Sequence, residues 1–245
     1  MTEPDGSNIV TRISASSEVP SQKNADCTEP LGSSHQLTQF LSGNPRTTIL
    51  FLALPVLAEQ FLNFLVGFVD TLLSGRISMA ATSAIGTAAY VNWLAELIFS
   101  LVATGTTALV ARHWGAFERD DAGRVASSSI SLALGMGIAA TGLLYMIAPV
   151  FGDFLQLEAG SNFLLVRYLR LSCFGHAFSS VLLIGSAALR GSGNMRAPMF
   201  ILGLVSILNV VFSSVLVFGF GPLPAFGMDG IAVGTVAARF AGFLV

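Results

Sequence analysis

ILFLALPVLAEQFLNFLVGFVDTLLSGR, residues 49–76, decides the reading of this chain. It is a predominantly apolar run of about 25 residues, enough to cross a bilayer as a helix. Glu59, Asn63 and Asp70 interrupt it. At about 100° per residue the three fall within roughly 40° of one another. A polar stripe therefore runs down one side, with Leu, Phe and Val on the others. An ionised carboxylate near mid-membrane costs about 2.5–3.5 kcal/mol on insertion scales. Such a residue faces protein or a wet cavity and is by default a functional-site hypothesis. The blander reading puts Asp70 at the interface, near the end of the run, in a weak surface pair with Arg76.

Composition agrees with a chain mostly in lipid. Hydrophobic residues make up 53% and charged residues 11%, and mean hydropathy is +0.73. Soluble domains carry about 25% charged residues. The two cysteines, Cys27 and Cys173, lie in a polar stretch and in an apolar segment, so neither a disulfide framework nor a thiolate metal site is expected. His35, His113 and His176 have no ligand spacing. His176, inside an apolar segment, reads as a packed, hydrogen-bonded histidine before it reads as a functional one.

Residues 1–45 are rich in Ser, Thr, Pro, Asn and Glu and lack an apolar run. They are expected to be a disordered tail, because they cannot bury enough surface to offset chain entropy. The first 30 residues hold no signal-peptide core, so the first helix is expected to act as an uncleaved anchor. Gly43-Asn44-Pro45 marks the boundary. Residues 46–245 then carry six apolar segments, at about 49–74, 85–111, 125–149, 163–189, 198–220 and 228–245. The expected fold is all-α, a polytopic six-helix membrane bundle. The sixth segment offers only about 17 residues, the lower limit for a span, and reads as a helix cut off at Val245.

Loop charges orient the bundle. Arg112, Arg119 and Arg124 follow the second segment, Arg190 and Arg196 follow the fourth, and Arg46 precedes the first. The opposite loops carry only Arg76. The positive-inside rule makes the tail and both basic loops cytoplasmic. Arg167 and Arg170 lie just inside the outer end of the fourth segment, where they snorkel or reach an acidic partner. Asp229, where the sixth helix restarts after GFGPLPAFGMDG, is expected to be an N-terminal cap.

Further polar groups fall inside the segments. Asn92, Glu96 and Ser100 recur every four residues in the second, and Glu96 lies deep in its run. Two helices with buried acids point to a shared polar cavity, or Glu96 simply bonds a neighbouring helix. Asn209 and Ser213 sit one turn apart in the fifth. The small residues Ser129, Ala133, Gly137 and Thr141 form a packing face on the third and carry no functional weight.

LALPVLAEQFLNFLVGFVDTLLSGR resembles the first helix of the multidrug and toxin extrusion (MATE) transporters. TALVARHWGA resembles their segment closing the second helix, and ALRGSGNMRAPM their loop between the fourth and fifth. LNVVFSSVLVFGFGPLPAFGMDGIAVGTVAAR resembles their fifth and sixth helices. The resemblance, to the DinF-like branch, covers about residues 44–245. It implies one lobe of a twelve-helix fold, residing multi-pass in the cell (inner or plasma) membrane. The implied function is export of small organic cations or drugs against a proton or sodium gradient, with no cofactor. Asp70 matches the acid of the first helix, implicated in ion coupling. Asn63, Asn209 and Thr235 match polar positions of the same site. Ser213 departs from the pattern, which has an acid there, and leaves Glu59 and Glu96 as candidates to compensate. The family's second lobe has no counterpart in these 245 residues. A missing C-terminal lobe or a second copy of the chain is the implied partner, besides the lipid bilayer.

Other functions are weighed against this one. An intramembrane enzyme lacks support, since no HExxH, metal-ligand set or GxSxG nucleophile is present, and nothing points to nucleic acid. A non-transporting membrane protein and a half-transporter both stay open. So does a lipid-linked sugar flippase of the related superfamily, although Asp70, Glu59 and Glu96 suit a cationic cargo better than a pyrophosphate.

Overall fold

The structure, a computed structural model, describes residues 45–155, 157, 159–219 and 224–245, with side chains described from Ala53 onward. The tail expected over residues 1–45 lies outside these, apart from Pro45. Seven helices follow in order. They are α1 (Pro45–Ile77), α2 (Met79–Gly115), α3 (Arg119–Phe154), α4 (Ala159–Ser172), α5 (Gly175–Gly191), α6 (Arg196–Phe218) and α7 (Met228–Leu244). By length and composition α1, α2, α3 and α6 are each able to cross a membrane, and α4 with α5 makes one further span bent by 52°. The 17 residues of α7 sit at the lower limit. The six apolar segments thus correspond to α1, α2, α3, α4–α5, α6 and α7.

The bend in the fourth span is what periodicity did not show. Its cause is local. Ser172 Oγ donates to the Leu169 carbonyl at 3.3 Å, and Cys173 Sγ lies 3.1 Å from the Arg170 carbonyl. Both compete with continued helix. Cys173 N–H still reaches Leu169 O at 2.9 Å, but His176 N–H turns to Cys173 O at 3.0 Å, a tighter turn. Thr141 Oγ1 of α3 also donates to Cys173 O at 2.9 Å. A break at membrane depth is tolerated where protein satisfies the freed backbone groups, and Thr141 does that here.

Turns are short because their residues allow it. Ser78 alone joins α1 to α2, and its hydroxyl accepts from Ala81 N–H at 3.0 Å as a helix cap. The turn into α7 ends on Gly227 at φ 57°, a conformation glycine adopts without steric penalty. Gly227, not Asp229, is therefore the cap residue. Asp229 lies in the first turn of α7, where its charge suits the helix dipole, and Arg167 of α4 pairs with it. That pair meets the expectation of an acidic partner for Arg167. Arg170 instead lies over the Tyr145 ring, 5.1 Å from its centroid.

Small residues set the spacing of the bundle, as expected in lipid, where packing rather than water exclusion drives helix association. On α3, Ala133 and Gly137 are buried against α5. A Cβ at Gly137 would lie 2.7 Å from the Ala177 Cα. A Cβ at Gly234 would lie 2.6 Å from the Ser213 backbone nitrogen, so α6 and α7 touch backbone to backbone. At the α1–α2 turn, Leu73, Ala81, Ala84, Ala148, Leu165, Val217 and Ile231 close a core that spans six helices.

The exception is α1. Among the described residues each of α2–α7 lies close against at least two of the others, whereas α1 makes no comparably close pairing. One end is held by Leu73 and Ser74 at the turn. The other is held by Glu59, which is 5% exposed and accepts two hydrogen bonds from Arg190 Nη2, at 2.9 and 3.0 Å. This charge-assisted contact joins α1 to the last turn of α5, 131 positions away in sequence.

Two predictions follow from this packing. Gly234→Ala separates α6 from α7 and destabilises the chain by about 1–3 kcal/mol, the range for overpacking; a lowered thermal midpoint in detergent checks it. Glu59→Ala strands the Arg190 charge and destabilises by roughly 3 kcal/mol, the low end for a broken buried pair because Arg190 keeps some solvent access. The swap Glu59→Arg with Arg190→Glu restores part of the midpoint. Equal loss in the swap and the single variant would show that the ion pair does not tether α1.

Candidate functional site

The charged groups at membrane depth sort into two sets. Glu59 belongs with Arg190 at the basic-loop end, and this pairing removes it from the cavity acids expected from the sequence. Glu96, in the middle of α2, accepts from Arg239 Nη2 of α7 at 3.0 Å. One turn earlier, Asn92 Oδ1 meets His176 Nε2 of α5 at 3.2 Å. His176 is fully buried, with the Phe99 ring 6.0 Å from its own between centroids. With Nε2 donating to Asn92, Nδ1 carries the lone pair and has no partner among the described residues. His176 is the packed histidine the sequence led one to expect, but it packs beside the charged pair.

The broken span makes room for this cluster. Gly175 starts α5, and a Cβ there would stand 3.2 Å from both Cδ and Nη1 of Arg239. The guanidinium thus lies along the break between α4 and α5. From there it is within electrostatic reach of Asp70, Tyr168 and His176. The Asp70 carboxylate on α1 acts electrostatically on the Tyr168 hydroxyl of α4. Its neighbours Val69 and Leu73 pack in the same core as Tyr168. Asp70 Oδ1 is buried and without a hydrogen-bond partner among the described residues. An unsatisfied carboxylate oxygen in a native interior marks a strained or functional group.

A second polar group lies between α6 and α7. Asn209 is 4% exposed, and its Oδ1 accepts from Ser213 Oγ at 3.4 Å, both on α6. Thr235 follows Gly234, which packs directly on Ser213, and its hydroxyl donates to the Ile231 carbonyl of its own helix at 2.9 Å. Thr235 and Arg239 are one turn apart, so a single face of α7 runs from this group to the Glu96 pair. No hydrogen bond joins the two groups among the described residues.

Asn63 is exposed. The stripe of Glu59, Asn63 and Asp70 does share one side of the helix, yet it does not share one environment. Burial along that side depends on what reaches it, and among the described residues Arg190 covers Glu59. Ser100 closes on its own helix through the Leu97 carbonyl at 2.7 Å and adds nothing to a cavity.

The sequence reading missed Arg239, Tyr168 and Asn92 as members of one site. The signal for Arg239 was present: a cation inside the sixth apolar run, subject to the same argument that singled out Asp70. With both acids ionised, the Asp70–Glu96–Arg239 cluster bears one net negative charge.

Two other features lie away from it. His113 Nδ1 and Glu118 Oε2 stand 2.8 Å apart in the α2–α3 turn, with Asp121 close enough to complete a possible ligand set. Asp121 is already paired with Arg124 at 3.5 Å, so this is a surface charge cluster. An apolar cleft of ≈ 540 Å³ opens between α2, α3, α5 and α7 at the basic-loop end, lined by Val110, Trp114, Leu182 and Gly242 among others.

The chain resembles known transporters throughout this region. It is 32% identical over 197 residues to a probable multidrug resistance protein NorM of Thermotoga maritima, covering 80% of this chain and 42% of that one. It is 29% identical to the uncharacterized transporter YisQ of Bacillus subtilis, covering 81% of this chain and 44% of that one. A solved structure of a MOP superfamily transporter from Pyrococcus furiosus, at 23% identity, superposes with a TM-score of 0.76 over 84% of this chain and 45% of that one. The chain thus spans less than half the length of these relatives. The MatE family profile matches residues 55–215, from Pro55 near the start of α1 almost to the end of α6. With well over half its length matched by that profile and its helices superposing on a transporter lobe, this multi-pass membrane chain belongs to the MatE family.

Proposed function

We infer that this lobe is the ion-coupled N-terminal half of an exporter of organic cations, driven by a proton or sodium gradient. The observation that carries the reading is the buried, unpartnered oxygen of Asp70 beside the Glu96–Arg239 pair. Protonated, Asp70 is neutral and can donate a hydrogen bond. Deprotonated, it needs a cation, water or the Arg239 guanidinium. A group with two such states can bias two arrangements of the helices around it. Asn209 on α6 and Thr235 on α7 extend the site, and Glu59 serves as a tether for α1. The name of the Thermotoga maritima relative supports drugs as the cargo class. The net negative charge of the cluster favours a cation over the pyrophosphate of a lipid-linked sugar.

Alternating access moves one half of a transporter against another around a central site. Export then requires a second six-helix lobe, supplied by a separate C-terminal half or a second copy. The lobe sits in the cell membrane with its basic loops, and hence the start of α1, on the cytoplasmic side. The arginine asymmetry between the two sets of loops supports this orientation.

Three outcomes test the reading. In a pump-deficient host the chain by itself gives no ethidium efflux above background, and efflux appears when a second lobe is co-expressed. In that two-lobe system Asp70→Asn, which fixes a neutral group of nearly equal shape, lowers the pH-dependent part of efflux by about tenfold or more, a coupling of the usual size. Normal efflux by Asp70→Asn at every pH would remove Asp70 from the mechanism. Ser192→Cys is labelled from the cytoplasmic side and Ser78→Cys from outside. The reverse pattern would invert the topology.

A further inference from the structure

We propose that the apolar cleft at the basic-loop end is a lipid site. Its occupant is one phosphatidylethanolamine molecule, with an acyl chain in the cleft and its zwitterionic headgroup on Arg119 and Asp120. This site is independent of the reading of Asp70.

The cleft has the shape and lining of a seat for hydrocarbon. Its ≈ 540 Å³ lie between Val110 of α2, Ala126 and Ile130 of α3, Val181 and Gly185 of α5 and Phe243 of α7. That volume falls within the about 300–1,000 Å³ of small-molecule sites. Gly185 helps to keep it open, since a Cβ there would meet no atom within 4 Å. Ile130 and Phe243 are exposed, so a chain can enter from the bilayer. Among the described residues that line the cleft, Arg119 is the single charged one.

Arg119 is also where the apolar cleft turns polar. Together with Gly123 it borders a second, shallow concavity of ≈ 570 Å³, whose other walls are Asp120, Arg124, Ser127 and Ser128. A molecule lying across both hollows needs an apolar body and a charged end, joined beside Arg119. Aromatic side chains set the level in the bilayer. Trp114 lines the cleft and Phe117, in the α2–α3 turn, is 85% exposed. Such rings gather where hydrocarbon meets water, which is where a headgroup lies.

Charge complementarity selects the headgroup. From Arg112 to Arg124 the chain holds three arginines and three acids, so neither sign is in excess. Glu118 is taken by His113 at 2.8 Å and Asp121 by Arg124 at 3.5 Å. Arg119 and Asp120 have no ionic partner among the described residues, and Arg112 lines neither hollow. The Arg119 guanidinium lies over the Trp114 ring, 5.4 Å from its centroid. A guanidinium so placed keeps N–H donors at its edge, and these suit a phosphate. Asp120, the next residue and a wall of the same concavity, suits a cation. A primary ammonium donates N–H groups to a carboxylate. The quaternary ammonium of choline has none to donate and favours open aromatic faces, whereas Arg119 already covers the Trp114 ring. A purely anionic headgroup would leave Asp120 unpaired and add a negative charge beside three acids.

The test is quenching of Trp114 fluorescence by lipids brominated on an acyl chain. The 245-residue chain carries Trp93→Phe, which leaves Trp114 as the one indole, and is reconstituted into vesicles. Brominated phosphatidylethanolamine, phosphatidylcholine and phosphatidylglycerol are each titrated against unbrominated phosphatidylcholine. Phosphatidylethanolamine is expected to bind about fivefold better than phosphatidylcholine, the size of one exposed charge pair. Asp120→Asn brings it down to the level of phosphatidylcholine. Arg119→Gln weakens all three lipids, since each carries a phosphate. Gly185→Leu fills the cleft and removes the preference, with an unchanged thermal midpoint as the sign of a folded chain. Equal quenching by the three lipids in the Trp93→Phe chain would overturn the proposal, as would a preference for phosphatidylglycerol. So would a preference for phosphatidylethanolamine that survives in Asp120→Asn and in folded Gly185→Leu. Shielding of Trp114 from every brominated lipid, relieved on dilution, would assign the cleft to a second copy of the chain instead. Loss of the preference on reconstitution with a second lobe would assign it to that lobe, and either result sinks the lipid site.

Discussion

A charge at membrane depth must find its partner within the protein, and that constraint orders this lobe. Hydrocarbon cannot solvate Glu59, Glu96, Arg239 or Asp70. Three of the four are resolved by contacts between helices far apart in sequence. Glu59 takes Arg190 across 131 positions, and Glu96 takes Arg239 across 143. The two pairs tie α1 to α5 and α2 to α7. Near the opposite surface, where water is closer, Arg167 and Asp229 tie α4 to α7. Such pairs need not add net stability over apolar contacts. What they do is make wrong arrangements expensive, because any other packing leaves a charge alone in hydrocarbon. Asp70 is the one whose Oδ1 has no hydrogen-bond partner among the described residues.

Close approach of the helices is the condition for those contacts. Glycine and alanine at the α6–α7 and α3–α5 interfaces bring backbones together, which places side chains of α7 over the break in the fourth span. The break itself is a product of the same economy of partners. A hydroxyl from α3 takes the carbonyl freed at Cys173, and the glycine two residues later leaves the space that Arg239 fills. A straight fourth helix bearing a larger side chain at position 175 would displace the guanidinium and separate Glu96 from its partner.

These particulars show what the sequence makes legible. Six apolar runs read out as the spans they become, because length and hydropathy are local properties. The small stripe on α3 read as a packing face, and it is one. Arg167 was expected to snorkel or to reach an acid, and it reaches Asp229. Asp70 and Glu96 stood out because a carboxylate in an apolar run is costly wherever it points. Their partners were not legible, since pairing across more than 100 positions depends on which helices become neighbours. Glu59 and Asp70 share a side of α1 and look alike in sequence, yet one finds Arg190 and the other finds no hydrogen bond. Asn63, on that same side, is exposed. The bend at residues 172–175 was hidden by an apolar run with no proline to mark it.

The location of Asp70 on α1 is itself informative. Each of helices α2–α7 lies close against at least two of the others, and moving any of them would open many contacts at once. Helix α1 carries a proline in its interior, Pro55, and is held mainly by one turn and one ion pair. A proline removes a hydrogen bond from the helix ladder and weakens it locally. Segments with few buried contacts open at the lowest free energy. A ligand shifts an equilibrium only by its difference in affinity between two states, so a single proton can drive only a motion of small cost. On the proposed reading, the acid that senses the ion therefore sits on the one helix whose displacement a single proton can govern.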